Sequence, residues 1–169
     1  MPLRWGIVLN FPINDQINGG KILFLGSFTY SIDKKGRVSI PAKMRKHLNP
    51  EANETFILTR SATEKCIEVH PLDQWEKNIK LKIDLLNTFN KKSAAFKRFY
   101  LEMAIDDKLD GQSRLSIPQN LREFAGIEDE VYIIGVNENI EFWNPKKYKE
   151  YKDSQELTFE ELAQEVMTE

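Results

Sequence analysis

The amino-acid sequence predicts an α+β fold made of two tandem units of one plan, arranged as a pseudo-two-fold pair with peripheral helices. Three observations predict it. The stretch Ile32-Asp33-Lys34-Lys35-Gly36-Arg37-Val38-Ser39-Ile40-Pro41 recurs 77 residues later as Leu109-Asp110-Gly111-Gln112-Ser113-Arg114-Leu115-Ser116-Ile117-Pro118, with Asp, Arg, Ser, Ile and Pro identical. Downstream, Glu54-Thr55-Phe56-Ile57-Leu58 is matched by Glu130-Val131-Tyr132-Ile133-Ile134, and Ile67-Glu68-Val69-His70-Pro71 by Ile140-Glu141-Phe142-Trp143-Asn144-Pro145. Period-two apolar stretches and helical-period stretches follow one another in both copies. Two copies are too few for a solenoid, so a paired arrangement is the better reading.

The elements follow in order. Phe28, Tyr30 and Ile32 alternate with polar residues, as in a half-buried strand. Asp33 to Gly36 supplies turn chemistry, with glycine free to take positive φ. Val38 and Ile40 resume the strand, and Pro41 suits the first position of a short helix reaching about Leu48, with Met44 and Leu48 inward. Thr55–Thr59 and Cys66–Val69 read as strands. Leu72 to about Leu86 reads as a helix with Trp75, Ile79, Ile83 and Leu86 on one stripe, and Lys92 to Met103 as another with Phe96, Phe99 and Met103. The second unit repeats strand, turn and strand, then a helix from Pro118 to Ala125 stopped by Gly126. Strands near Val131–Val136 and Asn139–Trp143 follow it. Asn144-Pro145 opens a helix carrying Tyr148 and Tyr151, and Thr158 with Glu161 forms a capping box for a last amphipathic helix. The aromatic stripes read as core or subunit contacts.

The 169 residues are 41% hydrophobic and 30% charged, which excludes collagen-like and largely disordered chains. No apolar run reaches the roughly 18 residues of a membrane span. A single cysteine, Cys66, suits a reducing compartment, so a soluble cytoplasmic protein is expected. The net charge of −2 is unevenly spread. Between Asp33 and Pro50 six bases stand against one acid, whereas Glu150 to Glu169 holds seven acids and a single lysine.

Catalysis lacks its parts. His47 and His70 have no metal-ligand partner at the usual spacing. No nucleophile elbow, phosphate loop or dinucleotide fingerprint occurs. No enzyme activity, metal, cofactor, small-molecule substrate or membrane partner is therefore expected. The arginines are the candidates. Arg37 and Arg114 each lie four residues after an aspartate, at the exit of a tight turn. A planar guanidinium there suits two jobs: bracing the turn against Asp33 or Asp110, or bidentate binding of guanine or phosphate. Around Arg37 stand Lys34, Lys35, Lys43 and Arg45, while the second turn has Gly111, Gln112 and Ser113.

The doubled Asp-x-x-Gly-Arg-aliphatic-Ser-Ile-Pro pattern, with Phe24-Leu25-Gly26 ahead and Pro71-Leu72 to Trp75 behind, closely resembles the bacterial MraZ family. Ala95 to Tyr100 is similar to that family as well. The resemblance implies tandem AbrB-like, swapped-hairpin half-domains forming a pseudo-two-fold β-barrel, and chains assembled into a homo-oligomeric ring. It also implies a nucleoid-associated regulator of transcription that represses its own division and cell-wall operon through G-rich tandem repeats in double-stranded DNA.

Carried over by residue, the family's DNA-contacting motif falls on Asp33–Arg37 and Asp110–Arg114. The implied DNA-binding set is Lys34, Lys35, Arg37, Lys43, Arg45 and Arg114, with Asp33, Gly36, Asp110 and Gly111 bracing the turns. Ser113 stands where the motif has glycine; if positive φ is needed there, the second turn must be rebuilt around Asp110-Gly111. Residues 1–22 fall outside the resemblance. Leu23-Phe24-Leu25-Gly26 fits the family's Met-Phe-x-Gly opening, so a mis-assigned start is expected, with a genuine extension as the rival. Units at 23–90 and 91–152 and an acidic helical tail at 153–169 complete the expected organisation. A non-catalytic scaffold and a swapped-hairpin antitoxin are the alternatives in function.

Overall fold

The computed structural model describes residues 23–168, so the expectation for residues 1–22 lies outside the described residues. The first unit contributes β1 (Ser27–Ser31), β2 (Arg37–Ser39), α1 (Ala42–Arg45), a 3-10 turn (Pro50–Ala52), β3 (Thr55–Arg60) and β4 (Ile67–Pro71). A helical run follows, made of α2 (Leu72–Gln74), a π-helical segment (Trp75–Lys80) and α3 (Leu81–Asp84), and then α4 (Lys91–Leu101). The second unit contributes β5 (Ile105–Lys108), β6 (Arg114–Ser116), α5 (Gln119–Ala125), β7 (Glu130–Gly135), β8 (Ile140–Trp143), α6 (Pro145–Asp153) and α7 (Phe159–Met167).

The α+β class and the tandem plan are both present. One antiparallel sheet runs β1-β7-β8-β4-β3-β5, and β2 pairs with β6 in a separate two-stranded ribbon. Exchanging the units reverses this order onto itself. Each unit's first strand pairs with the other unit, β1 with β7 and β5 with β3. The sheet ends at β1 and β5, and no pairing among the described residues closes a barrel.

Register corrects the sequence alignment by one residue. The Ile32 amide bonds Asp129 and the Leu109 amide bonds Glu54, so Glu54 corresponds to Asp129 and Phe56 to Val131, not to Tyr132. Phe56, Leu58, Val131 and Ile133 are all fully buried. A one-residue slip would turn that set outward, so burial parity overrides the aromatic likeness of Phe56 and Tyr132.

Both units feed one core. Val38, Ile40, Met44, Phe56 and Leu58 pack with Leu115, Ile117, Leu121, Val131, Ile133 and Phe142. At roughly 1.5–3 kcal/mol per fully buried large aliphatic or aromatic side chain, this shared core is the main force joining the halves. Pro41 caps α1, which is shorter than expected, and leaves Leu48 only half-buried. Gly126 ends α5 at φ 64, as its sequence position suggested.

Two helices differ from their periodicity. The π-helical segment is wound wider than 3.6 residues per turn, so the stripe Trp75, Ile79, Ile83, Leu86 does not bury as one: Ile83 is buried and the others are half-buried. Trp75 instead stacks on Tyr100 at 6.1 Å. In α4, Tyr100 takes the inward place and Phe96 and Phe99 are exposed. No helix of the described residues is long and apolar enough to cross a membrane.

Candidate nucleic-acid interface

The two Asp-to-Arg turns are built alike. Asp33 Oδ1 accepts the backbone N–H of Lys35 at 2.9 Å and of Arg37 at 3.0 Å, and its Oδ2 accepts Arg37 Nε at 2.7 Å. The backbone closes the turn by Gly36 N–H donating to the Asp33 carbonyl at 2.9 Å. Asp110 receives the equivalent bonds from Gln112, Arg114 N–H and Arg114 Nε at 2.9, 3.0 and 2.8 Å. A short aspartate suits this task because its carboxylate reaches amides two to four residues ahead.

Gly36 has φ 78, and Ser113 takes the matching place at φ 59. The second turn is thus not rebuilt around Gly111, which has no positive φ and no atom near its missing side chain. Ser113 carries the left-handed strain itself, at about 1–2 kcal/mol for an L-residue.

The ribbon brings the turns together. Arg37 faces Ser116 and Ser39 faces Arg114. The Ile117 amide donates to the Gly36 carbonyl at 2.8 Å, and the Ile40 amide to the Ser113 carbonyl at 3.0 Å. Here the units part. Arg114 Nη2 lies 2.8 Å from the Asp110 carboxylate, and Nη1 reaches across to 3.5 Å from Asp33. Arg37 is held through Nε, and its two Nη groups donate no hydrogen bond among the described residues. Bracing and ligand reading are therefore compatible in Arg37: one edge of the guanidinium is fixed and the terminal fork is free.

Electrostatics agree with this division. The bond from the Arg114 side chain, aided by two amides, pulls the Asp110 carboxyl down to about 2. Asp33 is also lowered, first by the Arg37 amide and then by its side chain. These groups are half-buried and still reached by solvent, so the ion pairs orient side chains more than they stabilise the fold.

Lys34 and Lys35 stand exposed at the first turn's tip, and Lys43 is exposed on α1. Arg45 donates Nε to the Ile40 carbonyl at 3.1 Å, and Arg122 to the Ile117 carbonyl at 3.2 Å. Arg122 is the residue that sequence reasoning left out. Its guanidinium lies against Gly36, where a Cβ would meet it at 3.1 Å. The signal was present, since Arg122 follows Arg45 at the same 77-residue offset. The side chains of Lys34, Lys35 and Lys43 make no hydrogen bond or ion pair among the described residues.

A second polar cluster lies on β4 and β8. His70 Nε2 sits 3.1 Å from Glu68, a partner the sequence reading did not give it; residues two apart on a strand share a face. Tyr100 donates its hydroxyl to the same carboxylate at 3.2 Å. Glu68 faces Glu141 across the strand pair. Burial raises Glu68, but bonds from His70, Ser61 and Tyr100 outweigh it and leave it lowered, while burial and its neighbour's charge leave Glu141 raised. Three potential metal-ligating side chains do not converge anywhere among the described residues.

The family model described as "MraZ protein, putative antitoxin-like" matches residues 23–99 and 102–169. The chain is 39% identical over 145 residues to the "Transcriptional regulator MraZ" of Natranaerobius thermophilus, covering 86% of this chain and 97% of that one. It is 40% identical over 144 residues to the protein of the same name from Thermoanaerobacter sp. strain X514, covering 85% and 96%. The protein so named in Acetivibrio thermocellus is 38% identical over 144 residues, again covering 85% and 96%.

Proposed function

The chain belongs to the MraZ family, and from that premise we propose that it is a transcriptional regulator that grips double-stranded DNA with the Asp33–Arg37 turn. The observation that carries this reading is the Arg37 fork, whose Nη groups donate no hydrogen bond among the described residues, fixed by Asp33 through Nε and flanked by exposed Lys34 and Lys35. A fork so held is pre-aligned for guanine O6 and N7, a contact worth about 1–3 kcal/mol of discrimination. Lys34 and Lys35 take phosphates, and Lys43, Arg45 and Arg122 add positive charge. Arg114, engaged by two aspartates, contributes less than Arg37 and serves chiefly to hold the two turns in register.

The finer reading follows the family. Units at 23–90 and 91–152 form a swapped-hairpin pseudo-dimer, with the acidic tail 153–169 turned from the DNA. Chains assemble into a ring that presents the turns to successive G-rich repeats upstream of the chain's own division and cell-wall operon, which it represses from the nucleoid. Each contact is weak and salt-sensitive, but linkage makes the later ones intramolecular and raises affinity without new chemistry.

The test uses the purified full chain and its own upstream duplex. Arg37→Ala with Lys34→Gln and Lys35→Gln is expected to abolish retardation of that duplex while oligomer mass and unfolding midpoint stay unchanged. Unchanged affinity would overturn the reading and favour an assembly protein whose arginines only brace turns.

A further inference from the structure

The last helix has an apolar face that the described residues leave largely uncovered. In α7, Phe159, Leu162, Ala163, Val166 and Met167 recur at helical spacing, and Phe159 and Val166 are 80% and 66% exposed. Glu160 and Glu165 flank this stripe on either side. Nine residues are too few for a helix to be stable alone in water, even with the capping box at Thr158 and Glu161. The helix makes no extensive contact with any other described element of its own chain.

The same chain offers the complementary surface elsewhere. A groove of about 360 Å3 is lined by Phe96, Phe99 and Phe124 with Arg60 and Lys65 among its walls; Glu64 is the one carboxylate of its lining, and Arg60 is paired with Glu102 at 3.6 Å and with the Phe99 carbonyl. Phe96 and Phe99 are 41% and 56% exposed. Lys65 Nζ lies 4.6 Å over the Phe124 ring, and Lys92 shares the helical face of Phe96 one turn back. From Trp75 to Tyr100 seven bases stand against two acids, whereas Asp153 to Glu169 has six acids and no base. One surface is apolar with a cationic rim and the other is apolar with an anionic rim.

We propose that α7 of one copy docks in the Phe96–Phe99–Phe124 groove of a second copy, with Glu160 and Glu165 set against Lys65 and Lys92. This deepens the oligomeric reading above and rests on it. Donor and acceptor are different surfaces of one chain, so the contact is heterologous. Repetition of such a contact closes a ring when the rotation allows it. A rim of opposite charges sets orientation and partner choice while the aromatic contacts supply the attraction.

The experiment measures mass in solution for the full chain and two full-length variants, Val166→Asp on α7 and Phe96→Asp in the groove, both exposed positions. The parent is expected to be multi-chain and each variant a single chain with unchanged circular dichroism outside the α7 contribution. Mixed in equal amounts, the variants are expected to form a two-chain species and nothing larger, because only one intact α7 and one intact groove remain per pair. If Phe96→Asp fails to fold, Lys65→Glu with Lys92→Glu on the rim replaces it in the same mixture. A variant that keeps the parent's mass overturns the docking proposal while leaving an oligomer built on another surface. Single-chain variants that do not pair on mixing also overturn it, since α7 then covers the groove of its own chain. A parent that is a single chain at every concentration overturns this proposal and the ring together. Binding of each variant to a duplex with one repeat is expected to persist, which separates loss of the ring from loss of the DNA-reading turn.

Discussion

Neutralising the two lysines at the turn tip, Lys34→Gln with Lys35→Gln, is expected to change how DNA binding responds to salt more than how it responds to sequence. Both side chains are exposed, and only the backbone amide of Lys35 takes part in the turn, so the substitutions leave the Asp33 bonds intact. If each lysine meets one phosphate, the slope of log affinity against log salt falls by about 1.8. Between 50 and 200 mM salt the parent then loses about 10-fold more affinity than the variant does. Arg37→Ala is the contrasting case. Asp33 retains two amides and Arg114 Nη1, so the turn survives. The loss is about 1–3 kcal/mol, roughly 5- to 150-fold, and it is confined to the guanine-bearing duplex. Fluorescence anisotropy with a one-repeat duplex and a base-scrambled duplex, over a series of salt concentrations, separates the two effects without multiplication by linked sites. Equal slopes for parent and lysine variant refute the phosphate role. An Arg37→Ala loss that is the same on both duplexes refutes base reading.

Three further outcomes follow from the structure. Ser113→Gly relieves a left-handed L-residue at about 1–2 kcal/mol but adds about 0.5–1 kcal/mol of unfolded-chain entropy, for a net gain of roughly 0.5–1 kcal/mol in urea denaturation. Gly36→Ala moves the other way, because φ is 78 and the new Cβ meets Arg122 and the Ile117 carbonyl at 3.1–3.2 Å; equal signs for the two substitutions refute the equivalence of these positions. Asp110 is held down to about 2 in the fold, so its contribution to stability is full above the ordinary carboxylate range and is lost as pH falls from about 4 toward 2. Acid titration of Asp110→Asn should show a shallower stability decline over that interval than the parent. Burial first, and then nearby carboxylates, push the Cys66 thiol far up, so a thiol reagent should react at the rate of unfolding; rapid labelling of the native chain contradicts this.

Much of the turn geometry was legible because the repeated decapeptide states its own turn chemistry: an aspartate, an arginine four residues on, and a proline where the helix begins. Other features needed three dimensions. Phe56 and Tyr132 invite alignment by type, yet strand parity sets Phe56 beside Val131, and only the register shows that. Ser113 can hold a left-handed φ because the turn around it is fixed by Asp110 and by the ribbon, a tertiary cost that local propensity does not reveal. The partnership of His70 with Glu68 was readable from a spacing of two on a strand, whereas the π-helical segment after Pro71 left no periodic mark. The reach of Arg114 to Asp33 joins residues 81 apart in the chain and had no local sign.

That last contact gives a physical reason for the duplication within one chain. In a dimer of identical halves, any substitution that engages one turn's arginine engages the other's as well, and both guanidinium forks are spent or free together. Covalent tandem units escape this constraint. Arg114 is drawn to two carboxylates, Asp110 and Asp33, while the second turn's tip carries no lysine. Arg37 pairs with Asp33 alone, and its Nη groups, beside Lys34 and Lys35, donate no hydrogen bond among the described residues. On the proposed reading the second unit has become the mount for the first: it contributes the ribbon partner, the arginine packed against Gly36 and the cross-turn ion pair, each at a site where the first unit needs rigidity and not charge. Asp33→Asn tests this dependence directly, since it weakens the hold on Nε of Arg37 and removes the cross-turn partner of Arg114 at once. The expected result is a loss of guanine discrimination with every cation of the turn still in place, and retained discrimination would show that Arg37 needs no brace.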